Sequence, residues 1–189
     1  MTVRKIGIDL DNTIINYKNS FKIFCKRNKL NIKIFDKKNL KIYLDKNKNL
    51  PSWTEAQEEI YGNLIKFAKL FKHYKKFEKN LIKNNFKIFI ISHKTKYSQF
   101  SKKYDLRLAA NKWINQNLKI ENYKVYFCRT IIDKIRIIND LKLDYYIDDL
   151  TKILNNKLLN KKTNKILFED CDKRNWSKIL KHIIKDGRI

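Results

Sequence analysis

Two aspartates separated by one residue follow the first apolar run of the chain. Ile6-Gly7-Ile8 leads into Asp9, and Leu10, Asp11, Asn12 and Thr13 come next. In an extended chain the side chains of residues i and i+2 point the same way, so Asp9 and Asp11 can face one pocket. Two carboxylates that leave a buried strand together are costly unless they are paired or bound to a cation, and Mg²⁺ suits such oxygen ligands. An Asp-rich turn after a strand is the ordinary alternative.

A second acidic pair, Asp148-Asp149, closes the apolar run Tyr145-Tyr146-Ile147. These carboxylates could complete a site for a divalent cation. The alternative is that Asp149 caps a helix that begins near Leu150. The two interpretations are compatible, because the pair supplies two carboxylates.

A hydroxyl and an ammonium group occur between the two acidic pairs. Ser92 directly follows the apolar run Ile88–Ile91, where it could donate to a phosphoryl oxygen or simply cap a helix. Lys134 lies in the first turn of a predicted helix, 131–141, and could neutralise the charge of a phosphate. Since Lys134 is one of 37 lysines, it indicates nothing on its own.

The composition excludes several other kinds of site. The 189 residues include only three glycines, which are too far apart for a Gly-rich phosphate loop. The three cysteines and three histidines form neither a CxxC nor an HxxxH pair, which disfavours a structural zinc site. The scattered cysteines, with no long apolar run and no signal-peptide core, predict a cytoplasmic protein without a membrane span.

The charge is strongly basic. Lys and Arg number 44 against 19 Asp and Glu, so the net charge is +25, which favours nucleic acid or another anionic partner. However, Lys, Asn and Ile, all encoded by AT-rich codons, make up 87 residues, and the lysines are spread along the whole chain. Compositional drift is therefore the favoured interpretation, and nucleic acid is the less favoured partner.

Five short apolar runs, with helical spacing between them, predict the elements that position these residues. The predicted strands are Arg4–Leu10, Phe86–Ile91, Lys124–Cys128, Tyr145–Ile147 and Lys165–Phe168. The predicted helices are 60–71, 106–113 behind a possible Asp105 N-cap, 131–138 and 176–183. This alternation predicts an α/β protein with a parallel sheet covered on both faces. Because ligands bind at the carboxyl ends of such strands, the polar residues above are expected at one edge.

The segment between the first two strands is too long for a single crossover helix. About 75 residues separate them, and Pro51-Ser52 marks a break and a new helix start. Residues 32–49 are ambiguous, since 40–44 alternates like a strand but could be helical. We expect a core domain of residues 1–15 and 81–189, with a small helical cap at 16–80.

The polar features occur in a recognisable order along the chain. They are Asp9-Leu10-Asp11-Asn12-Thr13, Ser92, Lys134 and Asp148-Asp149. This set, over residues 4–168, resembles the haloacid dehalogenase-like (HAD) superfamily of phosphohydrolases. Ser92-His93-Lys94-Thr95 and Ile147-Asp148-Asp149-Leu150 are also similar to a group of small bacterial HAD-like proteins without an assigned substrate. The resemblance implies a Rossmann-like core with a five-stranded parallel sheet flanked by helices, and a small helical cap inserted after strand 1.

The resemblance also implies roles. Asp9 would be the nucleophile that forms an aspartyl-phosphate, and Asp11 the general acid and base. The phosphoryl group would be bound by Ser92 and Lys134, and Thr13 would support the loop. The remaining implied roles are Mg²⁺ binding by Asp9, the main-chain carbonyl of Asp11 and one or both of Asp148 and Asp149, and substrate contact by His93 and Lys94.

The leading hypothesis is a Mg²⁺-dependent phosphatase that acts on a small phosphorylated metabolite such as a sugar phosphate or a nucleotide. The net charge of +25 motivates an alternative, a phosphatase that acts on nucleic-acid ends. A third hypothesis is a non-catalytic basic binding protein on a HAD scaffold. The substrate and the oligomeric state are not indicated by the sequence.

Overall fold

The centre of the fold is a parallel sheet of five strands. The computed structural model describes residues 3–171 and 173–185, without the side chain of residue 120. Its strands are β1 (Lys5–Ile8), β2 (Ile15–Asn16), β3 (Lys69–Leu70), β4 (Lys87–His93), β5 (Tyr123–Cys128), β6 (Tyr145–Asp148) and β7 (Asn164–Leu167). The sheet has the order β5-β4-β1-β6-β7, and each neighbouring pair is parallel. The predicted five-stranded parallel sheet is confirmed.

Helices alternate with the strands along the chain. They are α1 (Lys18–Arg27), α2 (Lys37–Lys46), α3 (Trp53–Tyr61), α4 (Tyr74–Lys83), α5 (Leu106–Asn117), α6 (Ile131–Asp140), α7 (Thr151–Leu154) and α8 (Trp176–Ile183). Two 3₁₀ segments lie at Asn63–Phe67 and Ile120–Asn122. Because the strands are short and apolar and are joined by helices, the chain has the α/β layering expected from its pattern.

The core combines strand side chains with one face of each covering helix. Phe89 and Ile91 of β4 belong to a buried cluster that includes Ile135 of α6 and Ile153 of α7. A second buried group joins α4 and α8, where the Phe77 and Trp176 rings lie 4.6 Å apart. Burial of such side chains contributes about 1.5–3 kcal/mol each, which holds the helices on the sheet.

The helix starts predicted at Ser52 and Asp105 are confirmed. Ser52 forms a capping box with Glu55, and the Asp105 carboxylate accepts a hydrogen bond from the Leu108 amide at 2.9 Å. The ambiguous residues 40–44 are helical, within α2. This helix begins after Asp36, whose carboxylate accepts from the Asn39 amide at 2.7 Å.

The helix predicted over 60–71 is wrong. Helix α3 ends at Tyr61, and a 3₁₀ turn and β3 follow it. Gly62 has φ −95° and ψ −92°, which is not a helical conformation, and an added Cβ there would lie 2.7 Å from Cβ of Tyr104. Of the apolar residues that follow the glycine, Leu64 is buried but Phe67 is exposed, so the spacing does not mark one continuous buried face. The non-helical backbone at Gly62 ends the helix.

The chain divides into two compact units. The first contains the five-stranded sheet and consists of the described residues within Met1–Ile15, Leu70–His93 and Lys119–Ile189. The second is mainly helical and consists of Asn16–Lys69 and Lys94–Leu118. It differs from the expected cap in that it includes a second segment, which carries α5. The assignment of core and cap roles stays a prediction. Among the described residues, no helix is both long enough and apolar enough to cross a bilayer.

Candidate active site

Asp9 lies where β1 ends and a tight loop begins. Its amide donates to the Ile147 carbonyl at 2.9 Å, which extends the pairing of β1 with β6 by one residue. The carbonyl of Leu10 then accepts the amides of Ile14 and Ile15 at 3.0 and 2.9 Å, so the chain turns back at once. Asn12, at φ 61°, takes the left-handed conformation that this turn requires. The loop thereby leaves Asp9 buried, at 5% exposure, beside the carboxyl end of β6.

Lys134 is brought to Asp9 by the start of α6. Thr130 and Asp133 form a capping box at the start of this helix, and Lys134 directly follows Asp133. The Lys134 side chain is 1% exposed, and its Nζ donates to Oδ1 of Asp9 at 2.6 Å and to Oδ2 of Asp148 at 2.8 Å. Since 125 residues separate Lys134 from Asp9, tertiary packing alone creates this ion pair.

Asp148 ends β6 and accepts hydrogen bonds at both carboxylate oxygens. Its Oδ2 also accepts the Tyr146 hydroxyl at 2.8 Å, and its Oδ1 accepts the Leu150 amide at 2.8 Å. Helix α7 begins with Leu150, and not Asp149, at its N-cap position.

Asp149 and Thr13 complete the acidic cluster. The Thr13 hydroxyl lies 3.4 Å from Oδ2 of Asp9 and 3.5 Å from Oδ1 of Asp149, at the long limit for hydrogen bonds. The Trp176 indole donates to the Thr13 carbonyl at 3.2 Å and so ties the loop to α8. One oxygen each from Asp9, Asp148 and Asp149 lies within 4.8 Å of the others. These three carboxylates are close enough together to be candidate ligands of one divalent cation.

The electrostatics of the cluster are dominated by burial and by like charges. Burial raises the pKa of Asp9 well above its usual range; the Lys134 ammonium opposes this shift, and the carboxylates of Asp148, Asp149 and Asp11 add to it. Burial alone would lower the pKa of Lys134, but its carboxylate partners outweigh burial and raise it, so the lysine stays charged. Burial also raises the pKa of Tyr146, which therefore remains a hydroxyl donor.

The other predicted residues lie in different surroundings. Ser92 is 1% exposed near the end of β4, which is adjacent to β1 in the sheet. His93 is exposed, and its Nε2 lies 3.1 Å from the Arg129 carbonyl. Lys94 belongs to the second unit, where its Nζ lies 5.2 Å from the centre of the Tyr61 ring.

Sequence reasoning missed two residues of this cluster, Tyr146 and Gly7. Tyr146 precedes Asp148 by two positions in a strand, so the period of two places both side chains on one face. Gly7 is paired with Tyr146 across β1 and β6. The same period of two, applied to the neighbours of Asp148, would have indicated the tyrosine.

The fold is also found in solved structures. A predicted phosphatase from Clostridium acetobutylicum matches with a TM-score of 0.62 at 12% identity, over 98% of this chain and 100% of that one. A putative HAD-hydrolase from Bacillus subtilis, bound to magnesium, matches with a TM-score of 0.61 at 9% identity, over 97% and 99% of the two chains. This chain has the fold of the HAD-superfamily hydrolases. The fold expected from the sequence resemblance is therefore confirmed.

A third structure with the HAD fold was solved with ligands. It is a HAD family enzyme from Bacteroides thetaiotaomicron in complex with magnesium and inorganic phosphate, with a TM-score of 0.51, 13% identity and coverage of 94% and 99% of the two chains. No protein-family model matches the chain, and no curated protein matches it. The likeness at this level of identity establishes the fold, while activity has to be argued from the residues of the cluster.

Proposed function

We propose that the protein is a Mg²⁺-dependent phosphatase that hydrolyses a phosphate monoester of a small metabolite through an aspartyl-phosphate on Asp9. The observation that carries the proposal is the buried Asp9 carboxylate, held by Lys134 at 2.6 Å beside two further carboxylates at the carboxyl edge of the sheet. The neighbouring structures with this fold, described as phosphatases or HAD hydrolases, support it.

Asp9 would attack the phosphorus atom and displace the alcohol of the substrate. Oδ1 of Asp9 accepts a hydrogen bond from Lys134, so Oδ2, which lies near the Thr13 hydroxyl, would be the oxygen that attacks phosphorus. Asp11 would protonate the departing alkoxide and then remove a proton from the water that hydrolyses the acyl phosphate. That water would release phosphate and regenerate the Asp9 carboxylate.

Lys134 and Ser92 would bind the oxygens of the transferring phosphoryl group. An ammonium has three donors, and Asp9 and Asp148 accept two of those of Lys134. A buried, charged donor stabilises developing negative charge more strongly than an exposed one. Ser92, also buried, would add a hydroxyl donor from the neighbouring strand end.

The chemistry of the donor set fits Mg²⁺. Oxygens of three carboxylates lie within 4.8 Å of one another, and they carry more negative charge than Lys134 balances. The side chains of Asp9, Asp148 and Asp149 are therefore the ones that would hold the ion, with the Asp11 main-chain carbonyl. When bound, Mg²⁺ would offset the charge of the phosphate that approaches Asp9.

A phosphate-release assay tests this proposal. Purified protein is incubated with p-nitrophenyl phosphate and a panel of phosphorylated metabolites, with 5–10 mM Mg²⁺ or with EDTA, on the order of concentrations that saturate weak Mg²⁺ sites. Asp9→Asn should lower kcat by at least about 10³-fold, because it removes the nucleophile. Asp140→Asn, an exposed aspartate at the end of α6, is the matched control and should keep wild-type activity. Equal turnover by both variants would contradict the proposed mechanism.

The charge of the second unit favours a second candidate, a phosphatase for nucleic-acid ends. This unit carries 19 Lys and Arg against 6 Asp and Glu. Most of its acids are engaged locally: Asp36 and Asp105 cap helices, Glu55 closes a capping box, Glu58 accepts the Ser101 hydroxyl, and Glu59 pairs with Arg27. The exposed lysines of this unit are thus left to attract anions.

The two candidates differ in their dependence on salt. A nucleic-acid phosphatase should bind a 5′- or 3′-phosphorylated oligonucleotide with an affinity that falls steeply between 50 and 200 mM salt, on the order of 10³-fold for six phosphate contacts. The small-metabolite phosphatase should show little oligonucleotide binding at 150 mM salt, near the ionic strength at which exposed charges are screened beyond about 8 Å. Fluorescence anisotropy with a labelled oligonucleotide measures the difference.

A further inference from the structure

Tyr146 lies in the acidic cluster although the proposed chemistry does not use it. It is fully buried in β6, two residues before Asp148 and on the same face of the sheet. Its hydroxyl donates to Oδ2 of Asp148 at 2.8 Å, and Lys134 donates to that same oxygen at 2.8 Å. A chain of three hydrogen bonds therefore runs from Tyr146 through Asp148 and Lys134 to Asp9.

The backbone of β1 makes room for the Tyr146 ring. Gly7, its partner across the two strands, is one of three glycines in the chain. A Cβ on Gly7 would lie 2.9 Å from Cδ2 of Tyr146 and 2.5 Å from Cδ1 of Leu143. A glycine inside a strand weakens it, and here it allows a large ring to approach the neighbouring backbone closely. Two residues far apart in sequence thus combine to place the hydroxyl beside Asp148.

The Tyr146 hydroxyl is one of three donors that hydrogen-bond to the Asp148 carboxylate. Oδ1 accepts the Leu150 amide, and Oδ2 accepts both Tyr146 and Lys134. With one main-chain donor and one hydroxyl fixed to the backbone of the sheet, the carboxylate cannot rotate about its terminal torsion without losing a bond. The direction of the Lys134 ammonium is set in turn, because Asp148 and Asp9 accept two of its protons.

We propose that Tyr146 is a positioning residue: its hydroxyl fixes Asp148 and, through Asp148, aims the remaining donor of Lys134. That this donor is aimed at a phosphoryl oxygen rests on the function proposed above. The geometric part of the inference concerns the protein alone, so it can be tested without substrate, metal or activity.

A neighbouring tyrosine supplies a matched control. Tyr146 also fills the core beside Phe89 and Ile135, and Tyr146→Phe keeps this packing while it removes the hydroxyl. Tyr145 is equally buried and precedes it directly, so the strand period turns its side chain to the opposite face. Its ring centre lies 6.3 Å from that of Phe86. Tyr145→Phe therefore removes a buried tyrosine hydroxyl from the same strand on its other face.

The experiment observes the Lys134 ammonium by NMR in protein labelled with ¹⁵N-lysine, in metal-free buffer. The Lys134 signal is assigned by its loss in Lys134→Arg. In the wild type we expect slow exchange of its protons with water, because the group is buried and bonded to two carboxylates. Tyr146→Phe should accelerate this exchange about tenfold and shift the ¹⁵N resonance, whereas Tyr145→Phe should leave both unchanged.

Two outcomes would overturn the inference. One is an unchanged Lys134 signal in Tyr146→Phe, and the other is an equal acceleration in both variants, which would indicate general loosening of β6. Titration with inorganic phosphate in Mg²⁺ then tests the step toward function, with an affinity loss of about fivefold to tenfold expected for Tyr146→Phe alone. If the wild type binds no phosphate, the proposed function fails, while the exchange rates still decide the role of Tyr146.

Discussion

The two edges of the central sheet both bury carboxylates, but they differ in how many carboxylates lie together. At the amino edge, Glu78 accepts the Tyr123 hydroxyl and pairs with Lys75 at 3.1 Å, and Asp144 accepts the Lys5 amide at 2.8 Å. At the carboxyl edge, Asp148 likewise accepts hydrogen bonds from a tyrosine hydroxyl, that of Tyr146, and from the Lys134 ammonium. There, however, one lysine serves two carboxylates, and Asp149 lies within the same cluster.

The Glu78 group, with Tyr74 3.2 Å from Tyr123, forms a network in which a single acid has its own cation. At the carboxyl edge three carboxylates lie together near Lys134, and the pKa of Asp9 is raised by its burial and by the neighbouring carboxylates. Such an arrangement costs stability and is typical of a site that binds a cation or a charged substrate.

The largest change in stability is expected when the Lys134 ammonium is removed from the carboxyl edge. Lys134→Met should lower the free energy of unfolding by about 3–5 kcal/mol in metal-free buffer, because it leaves two buried carboxylates without a counter-ion. Glu78→Gln at the amino edge should cost only about 1–3 kcal/mol, since an amide still accepts the Tyr123 hydroxyl. Urea unfolding of both variants measures the difference, and equal losses would remove the contrast between the edges.

Mg²⁺ should stabilise the folded protein through the carboxyl edge of the sheet and not through the amino edge. At a Mg²⁺ concentration of 100 times Kd, the wild type should gain about 2.7 kcal/mol of unfolding free energy. Asp149→Asn should lose most of this gain, because it removes a ligand, and Glu78→Gln should retain it in full. Thermal unfolding with Mg²⁺ and with EDTA gives the comparison. A gain of equal size in the Asp149→Asn protein would count against Asp149 as a ligand.

A tyrosine hydroxyl should act on stability at the amino edge without affecting turnover. Tyr123→Phe removes the donor to Glu78 and should cost about 1–2 kcal/mol of unfolding free energy, with kcat/KM unchanged. Tyr146→Phe, the corresponding change at the carboxyl edge, should weaken phosphate binding as described above. Measuring both variants by urea unfolding and phosphate release sharpens the comparison. A drop in kcat/KM for Tyr123→Phe would show that the edges are coupled.

The smallest change in stability is expected at the capping box of Thr130 and Asp133, which begins the helix that carries Lys134. Hydrogen bonding to Thr130 lowers the pKa of Asp133 below its ordinary value of 3.8. The ionised Asp133 carboxylate therefore stabilises the folded protein above pH 3.8. This contribution is lost as the pH falls through the lower pKa that Asp133 has in the folded state. Asp133→Asn should be slightly less stable than the wild type at pH 7, and this gap should close in acid. Urea unfolding at pH 7 and pH 3 tests it, with Asp140→Asn as the control.

The elements around the site were largely predictable, for local reasons. Apolar runs bounded by polar residues indicated the sheet strands, and Ser52 and Asp105 marked helix starts, since capping depends on residues three positions apart. The helix expected over 60–71 failed at Gly62, where a close contact with Tyr104 ends it. Spacing predicted burial of Leu64 and Phe67, but in the 3₁₀ segment Leu64 and Ile65 are buried and Phe67 is exposed.

The partners within the site were less predictable. The order of Asp9, Ser92, Lys134 and Asp148-Asp149 indicated a shared edge, but not which oxygen accepts which donor. Asp149 was one candidate for the helix cap, whereas Leu150 is the N-cap residue of α7. Asp148 accepts the Tyr146 hydroxyl and the Lys134 ammonium, and the bond from Lys134 does not follow from spacing around the acidic pair.

By itself, the sequence determined that carboxylates, a hydroxyl and an ammonium lie at the ends of apolar strands, because strand pattern and helix capping are set within a few residues. The tertiary structure decided that Lys134 joins Asp9 to Asp148, that Tyr146 holds Asp148, and that Gly7 makes space for that ring. It also decided that α5 joins the second unit. These contacts connect residues far apart in the chain, with 125 positions between Lys134 and Asp9, so packing of the whole sheet has to form before they exist.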